Sequence, residues 1–143
     1  MAKRILVPLE LSAPDEPFIT ALAQLARGGG ATVRLLHVAP VPDNVVNDEG
    51  RVVAFVDQEI ARLEAEDRDH LQTIELRLDR VPVEAAVRFG DPVREILLEA
   101  EAFGADLLAL KTTRRSALGR AVLGSVSEQV FRKAAVPVVV FHA

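Results

Sequence analysis

The residues best suited to chemistry lie between Lys111 and Ser127. Lys111, Arg114, Arg115 and Arg120 share one loop with no acidic residue among them, and Gly124-Ser125 follows before an apolar-periodic segment. A helix starting at that step offers unpaired backbone N–H groups and the positive end of its dipole, which together favour an anion. Four like charges in one loop repel one another without a counter-anion, so phosphate binding and a solvated loop are both open readings. Ser125 and Glu128 also have capping-box spacing, which explains the step as a helix start while leaving the amides available.

Other reactive groups are less organised. His37, His70 and His142 share no metal-ligand spacing and read as structural or surface residues. Asp57, Glu59, Glu64, Glu66, Asp67 and Asp69 mix with Arg62 and Arg68 and read as the solvated face of a helix. Phosphate-loop, dinucleotide and nucleophile-elbow signatures are missing, and neither Ser125 nor Ser127 has an evident base, so no catalytic residue is assigned.

Elements that position these groups follow from hydrophobic pattern. Ile5-Leu6-Val7 is a short continuous apolar run of the kind buried on both faces of a parallel sheet. Ser12 to Asp15 offers a helix start, Phe18, Ala21, Leu22 and Leu25 an apolar face, and Gly28-Gly29-Gly30 a stop. Val33 to Val38 reads as the second strand and Ala39 to Gly50 as a loop. Val52, Val56, Ile60 and Leu63 mark a long charged helix. Ile74, Leu76 and Leu78 also alternate like a strand, but interspersed charges and Pro82 favour helix to about Asp79. Val83 to Phe89 is the third strand, and Gly90-Asp91-Pro92 combines a turn, an N-cap and a first-turn proline. Val93, Ile96, Leu97 and Ala100 face inward from the next helix, which Gly104 closes. Asp106 to Leu110 is strand four, Val126, Val130 and Ala134 the inner face of the last helix, and Val136 to Phe141 a final edge strand. Strict alternation of strand and helix argues an α/β doubly wound parallel sheet, whose ligands sit at the carboxyl ends of the strands.

Composition agrees with one domain spanning residues 1–143, with a core of Val, Leu, Ile and Ala, since aromatics are only 4% of the chain. The net charge of -4 argues against nucleic acid, and the lack of Cys excludes thiolate sites and disulfides. No apolar stretch is long enough to span a membrane. Lys3-Arg4 precedes an apolar run that Pro8 and Glu10 interrupt too early for a signal peptide, so a cytoplasmic location is expected.

Five segments in order resemble the universal stress protein family. They are Ile5 to Ser12, Leu35-Leu36-His37-Val38, Gly90-Asp91-Pro92 with Ile96, Leu123 to Glu128, and Val136 to Val140. The resemblance covers nearly the whole chain. It implies a three-layer, five-stranded parallel sheet in the order 3-2-1-4-5, of the adenine nucleotide alpha hydrolase-like type, and a homodimer through Val136 to Phe141. It also implies a stress-response role with possible protein partners. Nucleotide-binding members carry Gly-x-x-Gly, nine residues, then Gly-Ser or Gly-Thr; here the first two glycines fall on Lys111 and Arg114. Glu10 and Leu11 stand where such members have aspartate and glycine. The resemblance therefore implies a candidate pocket of Pro8, Leu9, Glu10, Val38, Gly90, Leu110, Lys111, Arg114, Gly124, Ser125, Val126 and Ser127. The first expectation is a stress protein without ordinary ATP binding. The alternative is a sensor of a nucleotide or other phosphate ligand, with Mg-ATP as the cofactor to test and slow ATP hydrolysis as the most that catalysis would amount to.

Overall fold

The computed structural model describes residues 3–10, 16–112, 114–115 and 121–141, with backbone alone for 114–115 and 121–122. The expectations on Leu11, Ser12 to Asp15, Arg120 and His142, and on the side chains of Arg114 and Arg115, lie outside the described residues.

Strand β1 (Arg4–Pro8) leads to α1 (Glu16–Gly29) and β2 (Thr32–Ala39), followed by two short strands, β3 (Val45–Val46) and β4 (Val52–Ala54). Next come α2 (Val56–Glu75), β5 (Val83–Phe89), α3 (Pro92–Phe103) and β6 (Leu107–Lys111). Short strands β7 (Arg114–Arg115) and β8 (Ala121–Val122) precede α4 (Ser125–Lys133) and β9 (Val138–Phe141). Five strands form one sheet in the order β5-β2-β1-β6-β9, with every pairing parallel. Counting only these five, the order is 3-2-1-4-5.

Alternation along the strands sends side chains to two cores. Ile5, Val7, Val33 and Leu35 meet Phe18, Leu22, Leu71 and Ile74 of α1 and α2. Leu6, Leu36, Leu108 and Leu110 meet Val93, Ile96 and Phe103 of α3 and Val130 of α4. The result is three layers with a sheet buried on both faces, as the continuous apolar strands require. The chain start is pinned to β6 by the Lys3 and Arg4 amides, which donate to the Asp106 carboxylate at 2.9–3.1 Å.

Several local expectations are corrected. Val52 is not helical: it pairs with Val46 in an antiparallel hairpin, so the presumed loop holds β3. Helix α2 ends at Glu75 rather than Asp79, and Leu76 is exposed while Leu71, Ile74 and Leu78 are buried, which rules out the alternating-strand reading. Helix α1 buries Phe18, Ile19, Leu22, Ala23 and Ala26, so its inner face is turned away from Leu25. Glu59 and Asp67 are buried, not solvated. Arg62 closes over Glu59 with two 2.9 Å bonds, and this hydrogen bonding, aided by its charge, holds that carboxyl below its usual range against the opposing effect of burial.

Candidate functional site

The chain passes from β1 outward to β2 and β5, then crosses back to β6 on the other side of β1. That reversal leaves a crevice at the carboxyl ends of β1 and β6, where neighbouring connections diverge. A cleft of about 270 Å³ occupies this place. Pro8, Leu9 and Glu10 supply one wall, Leu36, His37 and Val38 a second, and Leu110, Lys111 and Thr112 a third. Pro92 and Ile96 of α3 and Val126, Ser127 and Val130 of α4 close it.

The floor is apolar, since Leu36, Ile96, Leu110 and Val130 belong to the buried core. Polar groups gather around the walls and rim. Glu10 is exposed, while Lys111 is half-buried, its Nζ 5.8 Å from the centre of the Phe18 ring. His37 Nδ1 donates to the Leu9 carbonyl at 3.0 Å, and its Nε2 lies 3.9 Å from the buried Asp67. The Leu9 amide donates to the Leu36 carbonyl at 2.8 Å, so Leu9 is tied to the second strand from both of its backbone groups. The rim residues after β1 are therefore held in place before any ligand arrives.

Gly124, in extended conformation, is the N-cap of α4; Ser125 is the first helical residue and makes no cap. The expected Ser125 capping box is thus corrected. Ser125 Oγ accepts a 3.4 Å bond from Gln129 instead, and Glu128 pairs with Arg132 at 2.7 Å. With no side chain capping it, the first turn leaves backbone N–H groups of Ser125, Val126 and Ser127 without intrahelical acceptors beside the cleft. Val126 is 37% exposed and faces the opening rather than the core.

The expected pocket residues therefore separate into groups. Pro8, Leu9, Glu10, Val38, Leu110, Lys111, Val126 and Ser127 come together around the cleft. Gly124 and Ser125 stand next to it in the chain without lining it. Gly90 is a turn residue: its φ of 139° suits glycine, its amide donates to Ala39, and it also does not line the cleft. The backbone of Arg114 lies in the β7–β8 hairpin, paired with Val122. Leu36, His37, Pro92, Ile96, Thr112 and Val130 were not expected at the site. His37 carried a signal, because it follows two apolar residues at the carboxyl end of a strand. Ile96 and Val130 carried none beyond core periodicity.

Helix α3 is fastened to the sheet by ion pairs. Glu99, only 6% exposed, accepts from Arg34 at 2.8 Å and from Arg88 at 2.7 Å. Arg34 also reaches Glu84 and Arg88 also reaches Glu95, both at 2.6 Å. Burial alone would raise the Glu99 carboxyl, but hydrogen bonds from Arg88 and Arg34 hold it below the usual range. The Arg34 guanidinium also lies 4.1 Å from the centre of the Phe103 ring. This network ties α3, whose Pro92 and Ile96 wall the cleft, to β2 and β5. No metal-binding cluster occurs among the described residues, and no helix among them is long and apolar enough to cross a membrane.

At the level of curated sequences the chain has no match. Among solved structures it is similar to the hypothetical protein MJ0577, at 26% identity and TM-score 0.75, over 99% of this chain and 96% of that one. A universal stress family protein from Burkholderia pseudomallei shares the fold at 21% identity and TM-score 0.69, over 99% and 96% of the two chains. So does a universal stress protein solved in complex with cAMP, at 19% identity and TM-score 0.62, over 99% and 97%. The universal stress protein family model matches residues 1–142, and with the sheet order and switch-point cleft already described, this chain belongs to the universal stress protein family.

Proposed function

We propose that this is a cytoplasmic stress-response protein of universal stress type that senses a small phosphate-bearing ligand of nucleoside size. The carrying observation is the cleft: apolar at its floor, polar at its rim, and next to the uncapped first turn of α4. Its volume of about 270 Å³ lies just under the range of about 300–1,000 Å³ common for small-molecule sites. That size suits a base and sugar with one phosphate better than an extended triphosphate. The base would lie on Val38, Leu110 and Val126, and the phosphate would meet Lys111, Ser127 and the α4 amides. Lys111 and Arg114 in place of a glycine cradle, with Glu10 in place of aspartate, make Mg-ATP the poorer ligand. The neighbour solved with cAMP supports a ligand of this class.

Calorimetric titration of nucleotide-free protein with cAMP, AMP and Mg-ATP tests this reading. The expected result is saturable binding of a monophosphate and weaker binding of Mg-ATP. Lys111→Ala should weaken the monophosphate about tenfold or more, the loss expected for one charge-assisted hydrogen bond. No saturation by any of the three would overturn it, and the family role would then rest on protein contacts alone.

The proposal includes a homodimer through β9. Its four residues, Val138 to Phe141, form an apolar edge strand whose outer side is unpaired among the described residues. Such an edge attracts another strand. Sedimentation should give a dimer mass for the native chain and a monomer mass for Val140→Lys. A monomeric native chain would dispose of this part alone.

A further inference from the structure

The hairpin between β2 and α2 is a second candidate site, unconnected to the cleft's chemistry. Val41, Val46, Val53 and Phe55 are each more than half exposed, and Val45 and Val52 are exposed as well. Six large apolar side chains thus face solvent within fifteen residues of chain, 41–55, more than half of the eleven exposed large apolar residues among the described residues. Single exposed apolar residues are ordinary, whereas six on one hairpin and its flanks point to an interaction surface.

The hairpin is built, not floppy. Asn47 Oδ1 accepts from the Glu49 and Arg51 amides at 3.0 Å, and Asn44 Oδ1 accepts from the Val56 amide at 2.9 Å. Val46 and Val52 are cross-strand partners, and among the described residues β3 and β4 pair only with each other.

Phe55 supplies an independent observation. It occupies the N-cap of α2, a position where Ser, Thr, Asp or Asn would accept a backbone N–H. Gln58 makes its half of a capping box, accepting the Phe55 amide at 3.0 Å, but Phe55 has no acceptor to complete it. A 61% exposed aromatic ring at a position that asks for a hydroxyl breaks a local rule, as residues used in binding do.

Charge identifies the occupant. Asp43, Asp48, Glu49 and Asp57 are interspersed with and flank the apolar residues in the chain, against Arg51 alone over 41–57, and all are exposed. That rim repels nucleic acid and anionic lipid, and it repels the same rim on a second copy. We propose that the hairpin docks a polypeptide segment that is apolar on one face and rich in Lys or Arg beside it, with Phe55 and Val53 as anchors and the acidic rim selecting the charge.

Fluorescence anisotropy of the full chain with three labelled probes tests this. They are an amphipathic leucine–lysine peptide, its leucine–glutamate counterpart, and polylysine. The expected result is saturable, salt-weakened binding of the first, with the other two at least about tenfold weaker. Phe55→Ser and Val53→Ser should each weaken it by a similar factor while thermal unfolding confirms the fold. The reversal Asp48→Lys with Glu49→Lys should shift preference toward the glutamate peptide. Three results would overturn the proposal: no binding of the leucine–lysine peptide, binding that these substitutions leave unchanged, or self-association that Phe55→Ser abolishes, which would make the occupant a second copy.

Discussion

Replacing Glu99 with Gln tests whether the ion network under α3 holds the fold together. The carboxylate is 6% exposed and takes one charged hydrogen bond on each oxygen. Glutamine keeps the shape and one acceptor, but turns an amide N–H₂ toward a guanidinium. One charge-assisted bond is lost outright, which costs about 1.5–3 kcal/mol. Stripping a partner from a fully buried pair costs about 3–5 kcal/mol, and this sets an upper bound. Arg34 and Arg88 keep Glu84 and Glu95 and are themselves about a quarter exposed, so the net figure is about 2 kcal/mol. For 143 residues, an unfolding entropy of about 2.1 cal/mol/K per residue makes that a fall of about 7 °C in Tm. Because the folded carboxyl lies below its unfolded value, its contribution is complete above about pH 4.3 and is lost as pH falls through the folded pKa. Circular-dichroism melts of both proteins from neutral to acid pH should therefore show a gap that closes in acid. A gap under about 2 °C at neutral pH, or one that persists unchanged in acid, would refute the reasoning.

Three further outcomes can be checked directly. Asp91→Ala removes the side chain that accepts the Arg94 amide at 2.9 Å and should cost about 1 kcal/mol in urea unfolding. Gly90→Ala forces a side chain into a φ of 139° with its Cβ 3.0 Å from Glu95 Oε1; a loss of about 1–3 kcal/mol is expected by the same measurement. Asp106→Asn should speed hydrogen exchange at the Lys3 and Arg4 amides. Burial raises that carboxyl but the two amides more than offset it, so its contribution exists above the unfolded pKa and disappears as pH falls; the exchange difference should fade in acid.

How far the fold could be read in the chain depends on how loudly each element speaks. Ile5-Leu6-Val7 is buried on both faces, so an unbroken apolar run was enough, and in β2 the buried Val33, Leu35 and Leu36 carried the pattern past Arg34. Asp91-Pro92 and Gly104 mark the ends of α3 with local chemistry that tertiary packing did not override. Val52 was misread as helical because it sits one turn before Val56 and its three-residue strand is shorter than one helical turn of pattern. Glu59 and Asp67 were misread because periodicity counts apolar residues, whereas Arg62 and His37 cover these two acids across turns and elements. Ser125 fitted a capping box, yet the chain enters α4 one residue earlier, at a glycine whose extended backbone suits the N-cap. The cleft was placed by the strand-end rule, but its floor comes from the core residues Leu36, Ile96, Leu110 and Val130, which look like any other core position until the helices are set above the sheet.

The three-way contact at Glu99 also bears on how this sequence can change over generations. Arg34, Arg88 and Glu99 come from β2, β5 and α3, so a change at one of them weakens the pairing of the others, although Glu84 and Glu95 still serve the two arginines. An apolar replacement of all three would pack acceptably, but each ordered path to it crosses a less stable intermediate. The first step is gentlest at Arg34 or Arg88, after which Glu99 still has one partner. Losing Glu99 first weakens both arginines at once, leaving Arg34 with Glu84 and Arg88 with Glu95. Drift at these positions should therefore be correlated and directional, with an arginine lost before the acid.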